Sequence, residues 1–378
     1  MVRFNIGVDL HKTQFTTCCL QDGKSLWEGY HVTDPKGYSE FKDVILSLFR
    51  KGNQVEVHLA VESTGNTKFF KNIVETWGCK VVVVNTLKFK VINESVKKTD
   101  KHDAHTLAEF LEKDMLPEAH LCSWASEELR RLLHVRRTLT RAVVTVKNQI
   151  HGMLTAHGLE SLRGGLQSKK GRQEILDALT GPDMGPVTGL VAQQLFETIN
   201  LLVGQIKELE KTLIGKVAED ETVKRLQTIP GCGIITASTI RAALDDISRF
   251  PGPKQFAAYA GLVPWVQCSN LSAHYGKITK RGPEELRTAL VQLVLGMYRS
   301  RLTGGYRIMK AYRYMKSVKG SGKSIIATAR KLAVVIWKML NEKKDFDPQQ
   351  MLDSKLEKRA DSMRNTQLNQ RIPTLSGG

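Results

Sequence analysis

The chain has 378 residues, 41% hydrophobic and 25% charged, the composition of a soluble globular protein with room for two or three domains. Fifty-six Lys and Arg stand against 38 Asp and Glu, a formal net charge of +18. A surplus of that size calls for a polyanionic partner, most commonly nucleic acid. No stretch approaches the roughly 18 consecutive apolar residues of a membrane span, and MVRFNIGVDL at the N-terminus lacks the cleavage site of a signal peptide. The six cysteines (Cys18, Cys19, Cys79, Cys122, Cys232, Cys268) show neither a CxxC pair nor zinc spacing. A cytoplasmic protein with reduced, mostly core thiols is expected.

Residues 3–10, 13–20 and 25–32 are apolar-rich runs, with the hairpin signal Asp22-Gly23 between the last two. They predict a three-stranded antiparallel meander. Tyr38, Phe41, Val44, Ile45 and Leu48 then recur at helical spacing. A strand from Val55 to Glu62 follows, then a helix through Phe69, Phe70, Ile73 and Val74. Lys80 to Val84 has the continuous apolar character of a buried parallel strand. A helix carrying Ala104, Leu107, Ala108 and Phe110 closes the set. The order βββαβαβα is that of a ribonuclease-H-like α/β domain, placed at residues 1–115.

From Ser126 the pattern changes. Leu129, Leu132, Leu139, Val143, Val146, Ile150 and Met153 alternate steps of three and four, interrupted at Arg136. That is a coiled-coil seam, flanked by Arg130, Arg131, Arg137, Arg141 and Lys147. A second seam, Leu195, Ile199, Leu202, Ile206, Leu209 and Leu213, returns after a Gly/Pro-rich connector at 181–189. Residues 116–215 are therefore expected to form an antiparallel pair of the dimerising kind, with a plain helical spacer as the alternative.

Residues 216–345 read as a mainly helical unit. Ile229-Pro230-Gly231-Cys232-Gly233 resembles the turn of a helix-hairpin-helix, where the N–H groups of Gly231 and Gly233 would face a phosphate. An ordinary helix–helix turn would use the same residues. Gly320-Ser321-Gly322-Lys323-Ser324 imitates the end of a phosphate-binding loop. The GxxxxGK[ST] pattern needs glycine where Ser317 stands and a strand where a helical stretch lies, so no nucleotide-triphosphate site is expected. A long amphipathic helix covers 325–340, and 346–378 read as a polar tail, disordered from 354.

Four acids stand out by position. Asp9 ends the first strand and Glu62 the fourth, and in a ribonuclease-H-like sheet those strands are parallel neighbours. Both carboxylates then meet at the sheet's carboxyl edge. Asp100 and Asp103, in Lys98-Thr99-Asp100-Lys101-His102-Asp103, lie three apart at the head of a helix, on one face. Converging carboxylates repel and raise one another's pKa, unless a divalent cation neutralises them. An oxygen-only set suits Mg²⁺, or Mn²⁺, which binds phosphate oxygens and activates a nucleophile or leaving group. Singly each acid reads equally as a solvated strand end or, for Asp100, a helix N-cap. Together, in this fold, they read as a metal site.

IGVDLHK around Asp9, AVESTG around Glu62 and KTDKHDA at 98–104 resemble the RuvC-like domain of the DEDD transposases. That is the insertion-sequence 110 group, which includes the Piv-type DNA invertases and the RNA-guided bridge recombinases. The C-terminal part is similar to the same family in Ile229-Pro230-Gly231, in FAAYAGLVP at 256–264 and in YGKITKRG at 275–282 with Leu286-Arg287. Gly322-Lys323 before the Ala329-Arg330-Lys331-Leu332 helix also fits, and the resemblance covers residues 3–345.

The resemblance implies a DNA transposase or site-specific recombinase in three parts. A RuvC-like domain holds Mg²⁺, a coiled coil assembles dimers or tetramers with shared active sites, and a C-terminal serine attacks a DNA phosphate. Many members also bind a guide (bridge) RNA whose loops pair with target and donor DNA. Members usually read Ser-Ser-Gly-Gly between Val-Pro and Tyr-Gly or Leu-Gly, where this chain reads Cys268-Ser269-Asn270-Leu271-Ser272. Ungapped alignment puts Ser269 on the second family serine, as the nucleophile, with Ser272 as the alternative. A serine hydroxyl needs a base or metal to ease its deprotonation, so it is expected near the carboxylates, on another subunit. Lys277, Lys280, Arg281 and Arg287 read as phosphate contacts, or as a solvated basic segment.

Three readings compete with such a recombinase acting on the bacterial nucleoid. One is a metal-dependent nuclease in which water attacks and Ser269 is idle. Another is a DNA invertase without an RNA guide, and the last a catalytically silent nucleic-acid-binding protein. A covalent DNA–protein adduct excludes the nuclease and the silent protein, and metal-dependent nicking separates those two.

Overall fold

A computed structural model describes residues 2–50, 54–92, 100–182, 184–269 and 272–352. It divides into two compact units, Met1–Cys122 and Ser123–Gly378.

The first unit opens with the meander β1 (Val2–Leu10), β2 (Gln14–Gln21) and β3 (Lys24–Val32), paired antiparallel in sequence. Asp22 and Gly23 turn β2 into β3 with φ of 51° and 72°, the positive values that a tight two-residue hairpin demands. α1 (Pro35–Phe49) starts on Asp34, whose carboxylate accepts the Gly37 N–H at 2.7 Å. β4 (Val55–Glu62), α2 (Thr67–Glu75) and β5 (Lys80–Val84) follow, then α3 (Thr86–Ile92) and α4 (Asp100–Glu112). The sheet order is β3-β2-β1-β4-β5, with β4 parallel to both β1 and β5. α3 is an addition to the expected series, a seven-residue helix too short to show a period.

Strand alternation sorts the side chains onto two faces. Phe4, Ile6 and Val8 of β1 join Val57, Leu59 and Val61 of β4 in a core closed by Phe41 and Ile45 of α1 and Phe70 and Val74 of α2. The other face offers small residues to α4. Cys18 and Leu20 pack with Ala104 and Ala108, and Ala60 with Leu107 and Leu111. α4 comes so close that a Cβ on Gly7 would lie 1.8 Å from the Ala104 carbonyl oxygen. Only glycine permits that approach.

The second unit is mostly helical. α5 (Trp124–Ala156) starts at Ser123, whose hydroxyl accepts the Ser126 N–H. A 3₁₀ stretch, Glu160–Gln167, leads to α6 (Lys169–Leu179) and α7 (Pro186–Val217). Glu128 pairs with Lys216 at 2.6 Å and Arg136 with Glu210 at 2.7 Å. Further along α5, Ile150 and Leu154 share a cluster with Ala192, Phe196 and Ile199. Partners descend in α7 as they ascend in α5, so the two run antiparallel. Arg136, the interruption in the apolar seam, is answered by a carboxylate on the facing helix. Leu139, Leu202, Ile206 and Leu209 stay half-buried in the middle of the pair, while Leu129, Leu213, Ile150 and Ile199 are buried toward its ends.

α8 (Glu221–Gln227), α9 (Ile234–Leu244) and α10 (Pro253–Tyr259) lead to a two-stranded hairpin, β6 (Pro264–Ser269) and β7 (Ser272–Ile278). α11 (Glu284–Arg299), α12 (Arg307–Lys319) and α13 (Ser321–Asn341) complete the unit. Ile240, Phe256, Leu290, Leu293, Met297, Tyr312, Leu332 and Ile336 form its core. The hairpin is the non-helical part of this mainly helical stretch and goes unmarked in the sequence, because its two short runs show their pairing only to each other. Gly320, with φ of 78°, turns α12 into α13, so a helix precedes Gly320-Ser321-Gly322-Lys323-Ser324, as the sequence predicts. The tail expected from 354 lies outside the described residues. No described helix is long and apolar enough to cross a membrane.

Candidate metal and catalytic site

In the parallel pair β1–β4, Val8 stands opposite Val61. Asp9 and Glu62 therefore occupy matching positions at the carboxyl ends of neighbouring strands. Alternation places both on the side of Gly7 and Ala60, which is the side that α4 covers. α4 begins at Asp100, with Asp103 in the same first turn. The helix N-terminus thus arrives at the strand ends, and its N–H groups favour carboxylates there.

Asp9, His11 and Asp100 place one potential ligand atom each within 4.8 Å of the others. His11 Nε2 lies 3.2 Å from Asp9 Oδ2 and 3.8 Å from Asp100 Oδ1. Glu62 and Asp103 stand outside this trio. Burial pushes the Asp9 carboxyl above its ordinary value, His11 opposes that by charge and hydrogen bond, and Asp100 and Asp103 add to it by repulsion. Lys98 and Thr99, which precede Asp100 in the sequence motif, lie outside the described residues.

His11 is the residue that the sequence pattern does not mark. It follows Asp9 by two positions and is the first residue beyond β1, so its ring turns back only because the chain leaves the sheet there. Asn66 Nδ2 donates to the His11 carbonyl at 2.8 Å. Thr67 Oγ1 donates to the Glu62 carbonyl at 2.6 Å and accepts the Thr64 N–H at 2.8 Å. These bonds tie the β4–α2 connection to the loop that carries His11. Two carboxylates and one imidazole fit a divalent cation, with the oxygens suited to Mg²⁺ and the nitrogen to Mn²⁺ as well. Neutral, His11 offers a lone pair; protonated, it supplies the positive charge that the acids call for.

Ser269 and Ser272 end β6 and begin β7 as directly opposed partners. Residues 270 and 271, and the side chains of 267–275, lie outside the described residues. Lys277 and Arg281 are exposed. Lys280 has φ of 52° and donates its N–H to the Gly261 carbonyl at 3.2 Å. A Cβ on Gly282 would lie 1.8 Å from the Tyr259 carbonyl oxygen, so this loop is pressed against the end of α10. Arg287 Nη1 approaches the carbonyls of Ala260 at 3.4 Å and Lys280 at 3.5 Å, and so braces the basic loop from beneath. Gly231 has φ of 86°, and a Cβ there would lie 2.4 Å from the carbonyl carbon of Gly296 in α11. Packing alone therefore demands that glycine. Gly233 caps α9, and the space beside it is open.

Two family models match the chain. One, described as a transposase and of the DEDD type of IS110, matches residues 6–159. The other, described as "Transposase IS116/IS110/IS902 family", matches residues 223–310. The first includes the acid cluster and the second the serine hairpin. The transposase for insertion sequence element IS1328 of Yersinia enterocolitica is 29% identical over 337 residues, 88% of this chain and 95% of that protein. The transposase for insertion sequence element IS1111A of Coxiella burnetii is 24% identical over 346 residues, 90% of each chain. The pilin gene-inverting protein of Moraxella bovis is 25% identical over 363 residues, 92% of this chain and 98% of that one. Both matched regions are those of a DNA transposase or recombinase. The chain carries two transposase domains of the IS110 family.

Proposed function

We propose that the chain cuts and rejoins DNA at a divalent-cation site built from Asp9, Glu62, Asp100 and Asp103, joined by His11, with Ser269 as the nucleophile. The convergence of Asp9, His11 and Asp100 carries this reading. The sheet order, with acids at the carboxyl ends of β1 and β4, supports a RuvC-like domain at 1–115. The long antiparallel pair of α5 and α7 supports a coiled coil that assembles protomers at 116–215. The serine-bearing part is then 216–345.

The cation, Mg²⁺ or Mn²⁺, would polarise phosphate oxygens and stabilise the charge that develops on them. The chain's own residues do the rest. Asp9 and Asp100 present oxygens, and His11, held by Asn66, can keep or give a proton beside them. Ser269 Oγ attacks phosphorus, a deoxyribose hydroxyl leaves with a proton, and the phosphodiester energy is kept in the serine ester. Rejoining reverses the step, so no nucleotide triphosphate is consumed. The charge of +18 and the family suit a guide RNA as a second nucleic acid. Likeness to a pilin gene-inverting protein favours inversion as the alternative outcome of the same chemistry.

The test is adduct trapping. Wild type, donor DNA and Mg²⁺ or Mn²⁺, quenched with denaturant, should give a DNA–protein adduct that Ser269→Ala abolishes and Ser272→Ala retains. An adduct kept by Ser269→Ala and lost in Ser272→Ala moves the nucleophile to Ser272. Nicking with no adduct in wild type leaves a water-using nuclease. Protein purified without nuclease treatment should carry a discrete RNA, and its absence removes the guide.

A further inference from the structure

The strongest charge asymmetry lies outside both the acid cluster and the serine hairpin. Between Leu286 and Asn341 the chain has twelve Lys or Arg and no Asp or Glu. The segment comprises most of α11, all of α12 and all of α13. Its apolar positions, among them Ile308, Met309, Tyr312, Leu332 and Ile336, are buried. Arg299, Arg313, Lys316, Lys319 and Lys323 are left exposed.

Exposed bases on helices are usually balanced by acids one turn away. Here Lys338, at the far end of α13, reaches Glu342 at 3.9 Å. Arg299, Lys319 and Lys323 have no ion-pair partner among the described residues. Two other cations share an aromatic ring: Lys316 Nζ lies 4.9 Å and Arg313 Cζ 6.0 Å from the ring centroid of Tyr298. Arg313 is fixed further by donating to the Gly304 carbonyl at 2.9 Å. The Tyr298 ring is itself held edge-on by buried Tyr312, with centroids 5.3 Å apart. Two like charges gathered on one ring repel each other, and a bound anion relieves that repulsion. The sequence after Leu352 has five Lys or Arg and three Asp or Glu, so it supplies no acidic segment to cover this face.

We propose that Arg313, Lys316, Lys319 and Lys323 form a docking surface for the phosphate backbone of duplex DNA, with Tyr298 positioning Arg313 and Lys316. It rests on the reading of the chain as a nucleic-acid enzyme, and adds where a strand is held outside the reacting groups.

The experiment measures the affinity of the full chain for a fluorescein-labelled DNA duplex of arbitrary sequence by anisotropy, across a series of KCl concentrations without divalent cation. Each phosphate contact contributes about 0.9 to the slope of log affinity against log salt. Lys316→Gln with Lys319→Gln and Lys323→Gln should therefore flatten the slope by about 2.7. Lys36→Gln with Lys169→Gln and Lys170→Gln, exposed elsewhere, removes the same charge and should leave the slope in place. Tyr298→Leu removes no charge, yet should flatten the slope by up to about 1.8 as Arg313 and Lys316 lose their platform. A merely structural Tyr298 would change melting and not the slope. Equal flattening by both triple variants, or an unchanged slope in the Lys316 triple, overturns this surface while leaving the recombinase reading intact. Failure of wild type to bind in a salt-dependent way overturns both.

Discussion

Replacing Gly7 by alanine tests how the fold assembles the acid cluster. The new methyl would stand 1.8 Å from the Ala104 carbonyl oxygen, 2.6 Å from the Ala108 amide nitrogen and 2.9 Å from the Ala104 carbonyl carbon. All three are backbone atoms of α4, so no side chain can swing aside. Ordinary contact begins at 3.4 Å, and relief requires α4 to retreat from β1 by roughly 1.5 Å. Asp100 rides on the first turn of α4, while Asp9 ends β1 and His11 follows it, so the retreat opens a trio whose ligand atoms now lie within 4.8 Å of one another. Overpacking of this kind costs about 1–3 kcal/mol. Gly7→Ala should melt lower than wild type and bind Mn²⁺, followed by electron paramagnetic resonance, at least about tenfold more weakly, a loss of about 1.4 kcal/mol. Cys18→Ala, which trims the same face beneath α4, should also melt lower but keep its Mn²⁺ affinity. Wild-type Mn²⁺ affinity and melting in Gly7→Ala would refute the placement of α4 on that glycine.

His31 sits buried in β3, stacked on Phe15 at 5.0 Å, with neither ring nitrogen hydrogen-bonded among the described residues. Burial lowers its pKa, against the pull of Glu40. The unfolded chain takes up a proton near the ordinary value of 6.5 that the folded one resists. Stability should therefore be full above that pH and fall as pH drops toward the folded pKa. The urea midpoint of His31→Phe should lose less than wild type on acidification, and equal losses count against the assignment. Gly231→Ala should destabilise strongly, and so should Gly296→Ala, since each added methyl meets the other's backbone. Their double variant should cost less than the sum, and strict additivity would argue that the two glycines do not share one contact.

Much of the N-terminal unit is legible because its signals are local. Asp22-Gly23 specifies its own turn, and Val55–Glu62 and Lys80–Val84 are apolar runs that coincide with β4 and β5. Asp9 and Glu62 stand out because strand ends are where parallel neighbours converge. His11 escapes notice because its role depends on the direction the chain takes after Leu10. Arg136 reads as a flaw in an apolar seam, since its partner Glu210 lies 74 residues away. Arg130 and Arg137 read only as flanks of that seam for the same reason. In the fold Arg130 donates to the Ala242 carbonyl at 2.8 Å, and Arg137 pairs with Glu285 at 2.7 Å. Periodicity reports which residues turn inward. It does not report which distant group answers a charge, and β6 with β7 shows the same limit for backbone pairing.

The acid cluster lowers the stability of the fold that carries it, and one substitution can measure by how much. Asp9 is half-buried against the sheet, and burial with the nearby Asp100 and Asp103 holds its carboxyl above the ordinary range. A carboxyl whose folded pKa is raised lowers stability at every pH above its unfolded value, where the unfolded chain ionises more readily. The N–H groups of the first turn of α4 soften the repulsion by favouring Asp100 and Asp103. A bound cation would remove more of it, adding about 2.7 kcal/mol at a hundredfold excess over its dissociation constant. Asp9→Asn keeps the shape and deletes the charge. In EDTA it should melt above wild type. It should also lose the rise in melting temperature that Mn²⁺ gives wild type, and cut no DNA. Melting below wild type in EDTA would mean that the carboxylate is stabilised where it stands. Retention of both the Mn²⁺ shift and cleavage would show that the cation is not held by Asp9, and the site would have to be sought elsewhere.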